Sequence, residues 1–436
     1  MKEDNKSHEE KNFISDHRCI AVMCALGIVA IAVAVTIIFM FWDTNRVASD
    51  NLMKNITASE VGTVTLEDEF VTSTADFSMN LFNNTTVKEK NSLISPVSAL
   101  SALAMTANGA DNKTLEQMSR VLGNGMSLEH LNLYLYSFAK SLPSIDKSKL
   151  SIANSIWFRD DENRLEVKKD FLQKNADFFD AEAYKSAFDS KTLKDINNWV
   201  YRNTDGMIEK ILDKINPDTI MYLINSITFD AEWKDKYTSS DVHNGKFTDY
   251  KGDKDNVSFM NSVESLYISA NNATGFIKPY YGDKYSFVAI LPSEGVSLSD
   301  YTKRLSGQKF VEMIKNAQKK SVETSLPKFS AEYSVQMADA LVALGMPDAF
   351  SPDDADFSKM AVSARGNIYI GEVLHKTYIE VNENGTRAAA VTKVEMRETS
   401  MPFFENKVIL DRPFLYAIID NKTCLPIFMG TVVDIQ

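Results

Sequence analysis

The sequence predicts an α+β fold built on one large, mainly antiparallel sheet, and three observations lead to that expectation. Helix and strand signals follow one another in mixed order with no fixed repeat. The 436 residues are 44% hydrophobic and 24% charged, an ordinary globular composition with enough length for one large core or two smaller ones. The stretch from Glu380 to Pro402 carries a strand period although it is bounded by residues suited to an exposed loop.

Charge and cysteine content narrow the class. The net charge of −12 is spread along the chain, and no basic cluster points to nucleic acid. Of Cys19, Cys24 and Cys424 only the last lies outside the N-terminal segment, so no intrachain disulfide can staple the main domain. Cys424 reads as a small apolar residue in a late strand.

The first element is N-terminal. Between Arg18 and Asp43 the chain has no charged residue, and those 24 positions are long enough to span a hydrocarbon core of ~30 Å as a helix. Residues 1–18 are expected to be a cytoplasmic tail, because Lys2, Lys6, Lys11 and Arg18 precede the apolar run against Arg46 and Lys54 after it. Residues 19–42 are then a signal anchor with Trp42 near the outer interface, or else a signal peptide processed near Val47-Ala48-Ser49. Residues 43–66 read as a short exposed tether.

The globular domain is expected over 67–436. Phe70, Phe77, Leu81 and Phe82 can share one helix face. Ser95-Pro96 supplies a second helix start, with serine as cap and proline at the first helical position, and Gly109 its stop. Ser151 to Phe158 reads as a strand, Leu193 to Tyr201 as a helix, Ile220 to Phe229 and Tyr285 to Leu291 as buried strands, and Val335 to Leu344 as a helix ended by Gly345. Ser95, Ser98, Asn225 and His375 are polar residues in apolar stretches. A buried polar group without a partner costs ~1–3 kcal/mol, so bonds among these four are expected.

In the late stretch, Arg387, Lys393, Glu395 and Arg397 fall on one parity, while Thr386, Ala388, Ala390, Thr392, Val394 and Met396 fall on the other. Gly385 opens the run, Glu398 breaks the alternation, and Ser400 and Pro402 close it. A strand pattern written into a loop suggests a segment that changes place. Catalytic machinery is not legible: His8, His17, His130, His243 and His375 give no HExxH spacing or zinc cluster, and GxSxG, glycine-rich phosphate-loop and CxxC motifs are absent from the sequence.

Glu383-Asn384-Gly385-Thr386 followed by Ala388-Ala389-Ala390 resembles the hinge of an inhibitory serpin's reactive-centre loop, and Asp411-Arg412-Pro413-Phe414 with Phe428-Met429-Gly430 resembles that family's C-terminal strands. Asn91 to Ser98, Leu223-Ile224-Asn225-Ser226 with Trp233, Leu326-Pro327-Lys328-Phe329, and Leu344-Gly345-Met346 before Ala349-Phe350 resemble serpin landmarks in the expected order. The resemblance implies about nine helices around three sheets, with an exposed loop over about 383–404. It implies that Ser95, Ser98, Asn225 and His375 lie where the main sheet parts, and that Lys328 and Glu383 pair at its top beside Trp233. It implies a bait: a serine protease attacks the loop, forms an acyl-enzyme, and is trapped as the cleaved loop enters the sheet.

Sixteen residues beyond Glu383, the implied scissile bond is Thr399–Ser400, suiting an elastase-like or subtilisin-like protease, with Arg397–Glu398 as the alternative. Asn384 and Arg387 stand where the family often has acidic residues, and Val391 where it has alanine, which would slow insertion a little. The resemblance further implies a monomer whose partner is the protease in a covalent acyl complex, with no cofactor, metal or nucleic acid. With the N-terminal segment it implies a membrane protein whose domain faces outward, or otherwise a secreted one. Asn384-Gly385-Thr386 is also a glycosylation sequon, and a glycan there would obstruct the hinge, which favours a bacterial cell surface. A non-inhibitory binding or structural member of the same fold is the alternative function.

Overall fold

The computed structural model describes residues 46–142, 146–160, 165–217, 219–364, 366–386 and 405–435. The chain divides into two units, Met1–Ala48 and Ser49–Gln436. The expected tail (1–18) and membrane segment (19–42) lie outside the described residues. Among the described residues no helix is long and apolar enough to cross a membrane.

The second unit has nine α-helices among its described residues and three sheets of seven, nine and two strands, most neighbours antiparallel. The seven-stranded main sheet runs in the order Asp50–Asn51, Glu182–Ser186, Ser148–Arg159, Met221–Glu232, Gly385–Thr386, Glu372–Asn382, Phe329–Gln336. In the nine-stranded sheet, Tyr285–Pro292 and Phe414–Asp420 are buried along their whole length, around the apolar runs at 287–291 and 414–419. One contiguous core joins the two sheets and the helices.

Local chemistry explains most boundaries. The helix Pro96–Ala107 starts where Ser95 caps it and proline takes the first turn, and it is buried on nearly every side against Met221–Glu232 and Pro426–Val432. Glu372–Asn382 alternates buried and half-buried residues, which sends Val373, His375, Thr377, Ile379 and Val381 to the core face. The helix expected from Val335 begins instead at Ala338, because Val335 and Gln336 extend a strand paired with His375 and Leu374. The described part of the expected tether is not simply exposed: Asp50–Asn51 pairs with Lys185 and Tyr184 at the sheet edge, and Leu52, Met53 and Ile56 pack on the core.

The main sheet is joined unevenly at its centre. Glu372–His375 pairs in parallel with Tyr222–Asn225 over four residue pairs, and among the described residues that ladder is not continued above them. At the top, Gly385–Thr386 sits between the same two strands, with Thr386 opposite Val381 on one side and Ala231 on the other. The chain thus places Gly385–Thr386 as a short wedge in the upper end of its seven-stranded main sheet.

Candidate functional site: the seam and hinge of the main sheet

At the foot of the wedge, Asn154, Asn225 and His375 stand in one row across three strands, since Asn154 faces Asn225 and Asn225 faces His375 in the register. The Ser95 backbone N–H donates to His375 Nε2 at 3.0 Å. The ring proton is therefore on Nδ1, which donates to Asn225 Oδ1 at 3.0 Å. Asn225 Nδ2 donates in turn to the Ser98 carbonyl at 3.0 Å and to Asn154 Oδ1 at 2.6 Å. Burial pushes the His375 pKa down to about 3, which keeps the ring neutral and able to accept from Ser95.

The four residues singled out in the sequence do converge, with a difference. The two serines reach His375 and Asn225 through backbone groups, and the Ser95 hydroxyl caps the helix by accepting from Ser98 N. Asn154 is a further member that sequence reasoning missed; its signal was an amide inside the apolar run Ser151 to Phe158.

Above the seam lies the hinge. The carbonyls of Asn382, Glu383 and Asn384 accept from Trp233 Nε1 at 2.8 Å, Tyr237 N at 3.1 Å and Trp233 N at 2.9 Å. Trp233 is buried and stacks on Tyr280 with ring centroids 4.6 Å apart. The Tyr280 hydroxyl and Thr386 Oγ1 are hydrogen-bonded at 2.6 Å, and Thr386 is only 1% exposed. A Cβ on Gly385 would lie 1.9 Å from the Ala231 carbonyl oxygen, so only glycine lets the backbone approach this closely. Gly385 and Thr386, expected in an exposed loop, are therefore already strand.

Lys328 Nζ lies 2.7 Å from Glu383 Oε2, each side chain 37% exposed, and the ammonium holds the Glu383 carboxyl below its ordinary pKa. An ion pair in this setting contributes only ~0–1 kcal/mol. Its position at the hinge turn gives it more geometric than energetic weight. The expected bond at Thr399–Ser400, its alternative at Arg397–Glu398, and the small residues Ala388, Ala389 and Ala390 lie outside the described residues. Among the described residues no group of three or more His, Cys, Asp or Glu side chains could hold a metal ion. Cys424 is a buried free thiol.

A large sheet parted at one end by the chain's own loop, with a buried polar seam beneath, defines a class of proteins whose main sheet and loop share one space. The chain belongs to the serpin family, whose model, described as serpin (serine protease inhibitor), matches residues 72–435. Serpin B6 of Macaca fascicularis is 32% identical over 78% of this chain and 92% of its own length. The leukocyte elastase inhibitor of Xenopus tropicalis is 31% identical over 81% and 96%. The native-state crystal structure of a thermophilic serpin, tengpin, is 54% identical and covers 89% of this chain and 100% of that one with a TM-score of 0.86. Its latent state is 52% identical, covers 86% and 100%, and has the lower TM-score of 0.77.

Proposed function

We propose that this protein is a suicide-substrate inhibitor of serine proteases. The observation that carries this reading is Thr386, already buried in the main sheet of an uncleaved chain. Strand residues alternate between faces. If the strand begun at Gly385–Thr386 is continued downward, Ala388, Ala390, Thr392, Val394 and Met396 share the core face with Thr386, while Arg387, Lys393, Glu395 and Arg397 face water. The loop is thus written as the missing remainder of a strand that has already started.

In this mechanism the protease serine attacks the Thr399 carbonyl, Ser400 leaves as a new amino terminus, and Thr399 is held as an ester. The freed segment from Arg387 onward then enters between Met221–Glu232 and Glu372–Asn382, displacing the four-pair ladder below. The protease is carried with it and distorted before water can cleave the ester. Thr399 suits an elastase-like or subtilisin-like specificity pocket. The uncharged run at 19–42 would tether the domain outside a membrane.

Mixing the protein with elastase or subtilisin tests this directly. The expected product is an adduct that survives SDS and a released fragment beginning at Ser400. The Thr386→Arg variant is expected to be cleaved without trapping, because a guanidinium cannot occupy the dry site where Thr386 meets Tyr280. Undiminished trapping by that variant would sink the insertion mechanism. Cleavage with neither adduct nor gain in stability would leave a non-inhibitory member of the family.

A further inference from the structure

A buried ion pair beneath the hinge belongs neither to the seam nor to the loop. Lys278, on the strand Ala273–Pro279, has a side chain 2% exposed with Nζ 2.8 Å from Oε1 of Glu264, itself 9% exposed. Ser262 Oγ also donates to Glu264 Oε1 at 2.6 Å and is bonded to Thr324 Oγ1 at 2.9 Å. Removing both charges from water costs about as much as their attraction returns, and apolar residues of equal size often serve stability better. Stability alone is a poor reason for this pair.

What the ammonium touches suggests another. Lys278 Nζ lies 4.4 Å from the Tyr237 ring centroid and 5.5 Å from that of Trp233, both within cation–π range. These are the two residues whose N–H groups hold the carbonyls of Asn382, Glu383 and Asn384. Trp233 also carries the stacked Tyr280, whose hydroxyl meets Thr386. One buried cation therefore braces the platform on which the hinge turn is folded back with its first strand residues in place.

We propose that Lys278, braced by Glu264, is a positioning residue for loop insertion: it fixes the Trp233–Tyr237 platform that keeps the hinge turn in its insertion-ready form. This rests on the inhibitor reading above. Without the pair, Gly385–Thr386 leave the sheet more often, insertion must start afresh, and more protease escapes by deacylation. Cleavage itself should be untouched, since the scissile bond is far along the chain from the hinge.

The test compares wild type, Lys278→Met with Glu264→Gln, and Lys278→Arg against subtilisin. It reads inhibitor molecules consumed per protease trapped, the rate constant of loop cleavage, and the Tm of intact and cleaved forms. The double variant should consume at least threefold more inhibitor per trapped protease with a cleavage rate within twofold of wild type; Lys278→Arg should stay within twofold on both. A folded double variant that traps as economically as wild type overturns the proposal, as does a Lys278→Arg variant as impaired as the double one. If the double variant does not fold, Tyr237→Leu, which removes one ring under the ammonium but keeps the backbone donor, carries the same threefold expectation and the same refutation. A wild type that is cleaved but traps nothing refutes the inhibitor reading itself, an outcome distinct from equal trapping by wild type and variant.

Discussion

His375 can join the seam only while it is neutral, because a protonated ring would turn a donor toward the Ser95 N–H. Its folded-state pKa is pushed down to about 3 by burial, against about 6.5 for an exposed imidazole. Below pH 6.5 the unfolded chain takes up a proton that the folded chain refuses. Stability is therefore complete above that value and falls by about 1.4 kcal/mol per pH unit as the pH drops towards 3. Urea midpoints measured between pH 7.5 and 5 should decline accordingly, and His375→Gln should flatten that slope. Asn225→Ala removes the partner of His375 Nδ1, Asn154 Oδ1 and the Ser98 carbonyl together. At ~1–3 kcal/mol for each buried group left unpaired, the denaturation midpoint of the intact protein should fall clearly. An unchanged midpoint would mean that the row across the sheet carries no weight. The roles of Asn225 and His375 were legible because a polar residue in an apolar run needs a partner. The partner identities were not, since Asn154 is set by register with a strand some seventy positions away.

Elements with local punctuation were the easiest to foresee. Ser95-Pro96 starts its helix for reasons contained in two residues, and Tyr285–Pro292 is buried around the unbroken apolar run at 287–291. The start of the helix Ala338–Leu344 was missed because long-range pairing with Glu372–Asn382 draws Val335 and Gln336 into a strand. Thr386 was expected to enter the sheet only after cleavage, because a gap between two distant strands leaves no mark on local sequence. That gap makes the four-pair ladder the element that must open for further insertion. Leu374 and Ile224 are partners in it. A variant with cysteine at both positions, oxidised across the seam, should be cleaved by subtilisin at the normal rate yet trap no protease, and reductant should restore trapping. If the cross-linked protein traps as well as the reduced one, the loop does not open the sheet at this ladder.

At the scale of the whole molecule, the intact fold is held without a disulfide in the described domain, by one continuous core and a main sheet whose central strand, among the described residues, is only Gly385–Thr386. Completing that strand would add ladder hydrogen bonds on both sides, each worth ~0.5–1.5 kcal/mol net. It would also bury Val394 and Met396 at roughly 1.5–3 kcal/mol apiece. Ordering the loop opposes this with ~1–2 kcal/mol per residue of backbone entropy. An intact loop is tied at both ends, whereas a cut one is free to run the length of the sheet, so the gain becomes available only on cleavage. Thermal melts of intact protein and of protein nicked in the loop should therefore separate widely, the nicked form melting at least 10 °C higher. Thr386→Arg should erase most of that difference, and its intact form should itself melt below intact wild type, because the arginine cannot take the buried place of Thr386 beside Tyr280. If nicked and intact wild type unfold together, the sheet is already as complete as it will become, and Gly385–Thr386 mark the end of a strand and not its beginning.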